Sequence, residues 1–221
     1  MPLYKNKYRT QTTRLAGWDY ASQGYYYITI CTQDREHFFG HVEGGEMWLT
    51  ALGNEARKCW NAIPHHFPFV ELDAFVIMPD HMHGVLYIDR GDEEKRGAMN
   101  RAYTSGEKGG ATGMHNPMLS KSLGRVVRWY KGRTTYEIRR LGPGRGLGRG
   151  LDRGIDAIHR VSPPAVSSFS WQSRYYDHIV RSEADLDRIR TYIHNNPAHW
   201  GRETDFDDGE YPVNNEEMIY E

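Results

Sequence analysis

Leu72 to Ile88 reads LDAFVIMPDHMHGVLYI, and both of its halves are strand-like. Leu72 to Met78 and His81 to Ile88 are runs of aliphatic, aromatic and β-branched residues. Pro79-Asp80 between them is a turn pair, too short for anything but a reversal, so the two runs are antiparallel neighbours. Side chains of a strand alternate faces, which puts His81 and His83 on one side and Met82 on the other. Two imidazoles on one face can grip a single metal ion, although in an isolated His-x-His one is more often a hydrogen-bonded surface histidine and the other an accident.

Working outward, Tyr25 to Thr32 (YYYITICT) has the pattern of a buried strand, and Met47 to Leu49 is a shorter one after Gly44-Gly45. From Ala51 to Ile63 the residues Leu52, Ala56, Cys59, Trp60 and Ile63 recur at helical spacing, with Pro64 ending the run. Downstream, Leu119, Leu123, Val126, Val127, Tyr130 and Ile138 trace another helical stripe. Its opposite face carries Lys121, Arg125, Arg128, Lys131, Arg133, Arg139 and Arg140 against the single acid Glu137. A last helix begins at the capping signal Ser182-Glu183-Ala184-Asp185, carries Leu186, Ile189 and Ile193 inward, and is expected to stop at Asn196-Pro197. The sum is an α+β fold, an antiparallel sheet with helices packed on it.

The chain has 221 residues with 28 Lys and Arg against 29 Asp and Glu. A net charge of -1 excludes a uniformly basic polyanion binder, so any nucleic-acid contact must come from local clustering such as the basic helix. Cys31 and Cys59 give neither a disulfide framework nor a metal cluster, which fits a reducing cytoplasm. No run approaches the roughly 18 apolar residues of a membrane span. One domain over 1–221 is expected, with a basic arm at 1–23, an exposed insertion at 89–118, a flexible Gly/Arg arm at 141–168 and an acidic tail at 203–221.

Tyr192 and Asn196 lie four residues apart on the last helix, so a phenol and an amide face a common point. A phenol with its ordinary pKa of about 10 is a poor nucleophile and needs a cation or base to stabilise the phenolate. A metal on His81 and His83 would supply that if the helix packs over the strand. The plainer reading makes Tyr192 a core aromatic beside Ile189 and Ile193, and Asn196 a helix-ending residue. Trp171 to His178 (WQSRYYDH) offers Tyr175 and Tyr176 as further hydroxyls, so periodicity alone does not choose a nucleophile. His65 and His66, adjacent and divergent, are given no metal role.

Three motifs in order, FVIMPDHMHGV (Phe75 to Val85), WQSRYYDHIVR (Trp171 to Arg181) and YIHNNP (Tyr192 to Pro197), resemble the HUH single-strand transposases, and most of all their REP-associated tyrosine transposase branch. The resemblance implies a ferredoxin-like sheet, His81, His83 and Asn196 as ligands of Mg2+ or Mn2+, and Tyr192 as nucleophile. It implies a substrate of single-stranded, hairpin-forming DNA cut through a 5'-phosphotyrosine. Lys121, Arg125, Arg128, Lys131, Arg133 and Arg174 are the expected DNA contacts, and a homodimer or a monomer would both suit the chain. A protein that binds repeat hairpins without cutting is the competing reading. A water-using metal hydrolase is weaker, since it leaves Tyr192 idle and expects a carboxylate beside the histidines.

Overall fold

Strand β1 (Gly24–Cys31) runs through the interior of a four-stranded antiparallel sheet because it has apolar side chains to bury on both faces. The computed structural model describes residues 15, 18–91, 121–142 and 163–201; most of the N-terminal arm, the insertion and the Gly/Arg arm, and the whole acidic tail, lie outside the described residues. After β1 come a single 3-10 turn at Gln33–Arg35 and the hairpin β2 (Gly40–Glu43) and β3 (Glu46–Leu49). Helices α1 (Ala51–Asn61) and α2 (Ile63–His66) follow, then β4 (Val70–Ile77) and β5 (His81–Ile88). The rest is α3 (Leu123–Arg140), α4 (Pro163–Ser168), β6 (Tyr176–Val180) and α5 (Glu183–His199).

The sheet order is β4-β5-β1-β6, with α1 between β1 and β4 and α3 between β5 and β6. This is the ferredoxin-like βαββαβ arrangement that the α+β reading expects. Alternation along the strands divides the core in two. Tyr26, Ile28, Ile30, Met82, Leu86 and Ile88 meet Leu52, Trp60, Val126 and Tyr130 of α1 and α3 on one face. On the other, Tyr27 and Val85 meet Leu186, Ile189 and Ile193 of α5. A Cβ on Gly84 would stand 2.5 Å from the Trp60 ring, so the glycine of the His-Met-His-Gly run is where α1 comes closest to the sheet.

Five expectations change. The strand β2 was not foreseen, because Gly40-His41-Val42-Glu43 is too short and too polar to signal one, yet it pairs with β3 from Gly40↔Leu49 to Glu43↔Glu46. Pro64 does not stop helical structure; it sits in the first turn of α2, where a missing N–H goes unused. Pro197 likewise lies inside α5, which continues to His199, since a proline in the last turn removes one bond only. The arm expected at 141–168 ends in α4, whose Val166 is buried against the core together with Phe169 just beyond it. Residues 18–23 also pack: Ala21 is buried and the Trp18 indole donates to the Tyr26 hydroxyl.

Candidate active site

His81 and His83 share the sheet face that α5 covers, and their Nε2 atoms point at each other 3.0 Å apart. Each ring is held from behind. His81 Nδ1 donates to the Asp80 carboxylate at 2.5 Å, and His83 Nδ1 lies 2.8 Å from both the Tyr27 and the Thr29 hydroxyls. Thr29 stands opposite His83 in the β1–β5 register, so strand pairing itself delivers that support. Burial drives the His81 pKa down, against the pull of Asp80, and drives that of His83 well down. Both imidazoles are therefore neutral at pH 7, and two facing lone pairs at this distance repel unless a proton or cation lies between them. Two nitrogens about 2.1 Å from one ion at right angles are also about 3.0 Å apart, so the pair fits as adjacent metal ligands with their partner groups fixing the rings.

The phenol of Tyr192 reaches this pair, its oxygen 3.5 Å from His83 Nε2, and a hydrogen bond links it to Asn196 one turn on. Burial raises the Tyr192 pKa, with the Asn196 bond and the charge of Arg35 acting against it. The hydroxyl is thus protonated at neutral pH and needs help to attack. Tyr176 faces the same side but packs edge-on to Tyr27 at 6.2 Å. Among the described residues no three His, Cys, Asp or Glu side chains form a metal cage; what converges here is two imidazoles and the Tyr192 phenol, with the Asn196 amide on the phenol.

Helix α5 is held in register from both edges of the sheet. Ser182 caps it by accepting from Asp185 N, and Asp185 Oδ2 lies 2.8 Å from His178 Nε2 on β6. Arg190 forks onto both oxygens of Asp73 on β4, at 2.9 and 2.7 Å. Asp73 occupies the irregularity between Leu72 and Phe75 where the β4–β5 register shifts, a bulge that aims this carboxylate at the helix. The Arg190 bonds hold the Asp73 pKa below the usual carboxylate range despite partial burial.

Several residues of the site carried no motif. Asp80 corrects the expectation that no carboxylate adjoins the histidines: it stands behind His81. Burial tends to raise its pKa, but His81, Arg35 and His37 together bring it down. Arg35 lies with Nη1 3.7 Å from Asp80 Oδ2. The Trp200 ring tilts over His81 at 5.8 Å and meets His37 edge-on at 5.6 Å. The alternation that groups His81 with His83 could have flagged Tyr27 and Thr29, two residues apart on the partner strand; Arg35 and Trp200 lie in turns that no periodicity reaches.

The expected DNA contacts are not gathered at this site, because α3 packs on the opposite face of the sheet. Lys121 and Arg125 lie over the Phe69 and Phe67 rings, near the start of α3, and Arg128 is exposed. Arg133 pairs with Glu137 at 2.5 Å. Lys131 is not the solvated cation that the helical pattern suggests. It donates to the Gln172 and Arg174 carbonyls, and burial pushes its pKa down to about 8. Arg174 itself is exposed. Lys131, Tyr136, Arg139, Arg140 and Trp171 to Ser173 line an open groove of about 850 Å³.

No family model matches the chain. A Haemophilus influenzae protein described as "Uncharacterized protein" is 34% identical over 195 residues, 86% of this chain and 89% of that one. Another from the same organism, named "Putative REP-associated tyrosine transposase", is 25% identical over 184 residues, 83% of this chain and 75% of its own length. A solved structure of a REP-associated tyrosine transposase bound to a REP hairpin is similar at a TM-score of 0.48 and 17% identity, covering 85% of this chain and 74% of that one. The first two likenesses extend over most of both partners, and the motifs quoted above lie in the stretches that build the sheet face and α5. Over most of its length the chain is thus similar to a relative named "Putative REP-associated tyrosine transposase", the branch that its motifs resemble.

Proposed function

We propose that the chain cleaves and rejoins single-stranded, hairpin-forming DNA through Tyr192, with His81, His83 and Asn196 holding Mg2+ or Mn2+. The observation that carries this reading is the approach of the Tyr192 oxygen to 3.5 Å from His83 Nε2, at the point where the two Nε2 atoms converge. A divalent ion bound there would act as a Lewis acid on the scissile phosphate and favour the phenolate over the phenol. Mg2+ prefers oxygen ligands, so two imidazoles suit Mn2+ at least as well.

The protein's own groups do the rest. Asp80 fixes the His81 tautomer and Tyr27 and Thr29 fix the His83 ring, so both Nε2 lone pairs stay directed inward. Clamped on both flanks, α5 holds the Tyr192 oxygen in place. That oxygen attacks phosphorus, the bond to the 3' oxygen breaks, and the 3' oxygen leaves as a hydroxyl after taking a proton, giving a 5'-phosphotyrosine. In the second step a 3'-hydroxyl attacks the same phosphorus and Tyr192 leaves. The groove beside α3 suits a nucleic-acid backbone, with arginines for phosphates and exposed Tyr136 for stacking. Incubating the protein with single-stranded DNA flanking its own gene and Mn2+ tests the reading: a covalent adduct that Tyr192→Phe abolishes is expected, and an adduct retained by Tyr192→Phe overturns the assignment.

A further inference from the structure

We propose that Arg35 is a catalytic residue whose guanidinium grips a non-bridging oxygen of the scissile phosphate beside the two histidines. The inference rests on the strand-cleavage reading above and adds a residue that no motif marks. Asp34 and Arg35 both have positive φ, 54° and 57°, a left-handed conformation that residues with a Cβ seldom adopt twice in succession. Such strain persists only where the surroundings impose it.

Here they do. Gln33 N donates to the Ser170 carbonyl, and Thr32 ties its backbone and its hydroxyl to the Asp80 carbonyl, with the hydroxyl also reaching Glu36. Phe39 N donates to the Pro79 carbonyl. The strained turn is therefore strapped to the Pro79-Asp80 turn that opens the histidine strand, and it carries the Arg35 side chain to the site. A solvated surface arginine needs no such arrangement.

Among the described residues the guanidinium has one loose contact, 3.7 Å to Asp80, and its side chain is 34% exposed. Most of its five donors remain to be used. Its charge acts on Asp80, on both imidazoles and on the Tyr192 phenol. Among the described residues Arg35 is the permanently charged cation beside the cluster. A phosphodiester carries one negative charge, and the phenolate adds a second as the new oxygen–phosphorus bond forms and the bond to the 3' oxygen breaks. That charge gathers on the non-bridging oxygens, and a planar, permanently charged fork is suited to receive it.

The test measures single-turnover adduct formation on a single-stranded oligonucleotide from the DNA flanking the gene, with its cleavage position mapped and Mn2+ saturating. Two versions are used, one with the natural scissile phosphate and one with an uncharged methylphosphonate there. Arg35→Ala should slow reaction at the natural linkage by about 100-fold, with oligonucleotide affinity and the Mn2+ midpoint nearly unchanged. Arg35→Lys should recover part of the rate, and on the methylphosphonate the wild type and Arg35→Ala should react within about threefold of each other. Equal losses on both linkages, a shifted Mn2+ midpoint that accounts for the loss, or a rate unaffected by Arg35→Ala would overturn the role. A wild-type protein that forms no adduct at all overturns the cleavage reading itself, and the role of Arg35 with it.

Discussion

Each imidazole of the pair has one nitrogen committed to the protein and one directed at its neighbour, and this asymmetry makes two buried histidines into a site. Burial also makes them acid-sensitive. Burial holds their folded pKa values below the ordinary 6.5, so as the pH falls below about 6.5 the unfolded chain binds protons that the folded one refuses, and stability rises with pH across that range. With chelator present, the melting temperature of the wild type should fall on acidification through this range, and that of His83→Gln should fall less. Equal slopes would mean that His83 takes up its proton without loss of the fold. Alternation on one strand was enough to pair His81 with His83 and to set Met82 against the core. The supports were not legible in the same way, because Tyr27 and Thr29 depend on which strand pairs with β5. Asp80 signals a turn in the sequence, and its bond to His81 Nδ1 is visible only in the structure.

Among the elements, α5 matters most, since it carries Tyr192 and meets the sheet over a small apolar patch of Leu186, Ile189 and Ile193. Polar clamps complete its placement. The Arg190 side chain is 36% exposed, so its pair with Asp73 should contribute only about 0.5–1 kcal/mol. Its larger effect should be on geometry: Arg190→Ala is expected to lower the adduct-forming rate by about tenfold, the consequence of a small displacement of the nucleophile, while leaving oligonucleotide affinity within about twofold. A drop in affinity with an unchanged rate would place Arg190 in binding instead. The helix itself was legible from the Ser182 cap and the apolar spacing, and so was the facing of Tyr192 with Asn196. Its true end was not, because Pro197 carries the same stop signal whether it follows a helix or occupies the last turn. Nor could spacing show the bulge that turns Asp73 toward Arg190.

Across the whole molecule, the sheet separates two surfaces: the histidines and Tyr192 on the α5 side, and the basic groove on the α3 side. The charge pattern of α3 was visible in the sequence, but not which cations remain available, since Lys131 is used internally and Glu137 holds Arg133 and Arg140. If the groove follows a DNA backbone, Arg139→Glu should weaken binding. It should also reduce the slope of log affinity against log salt by about 0.7 for a single strand; an unchanged slope would return this arginine to solvent. The central claim is the phosphotyrosine at Tyr192, and the most direct measurement follows an end-labelled single-stranded oligonucleotide from the flanking DNA, incubated with protein and Mn2+, on a denaturing protein gel. The account predicts that the 3'-labelled fragment migrates with the protein, the 5'-labelled fragment is released, and Tyr192→Phe gives neither. Label transfer from the 5' end, or an adduct that survives Tyr192→Phe, would contradict it.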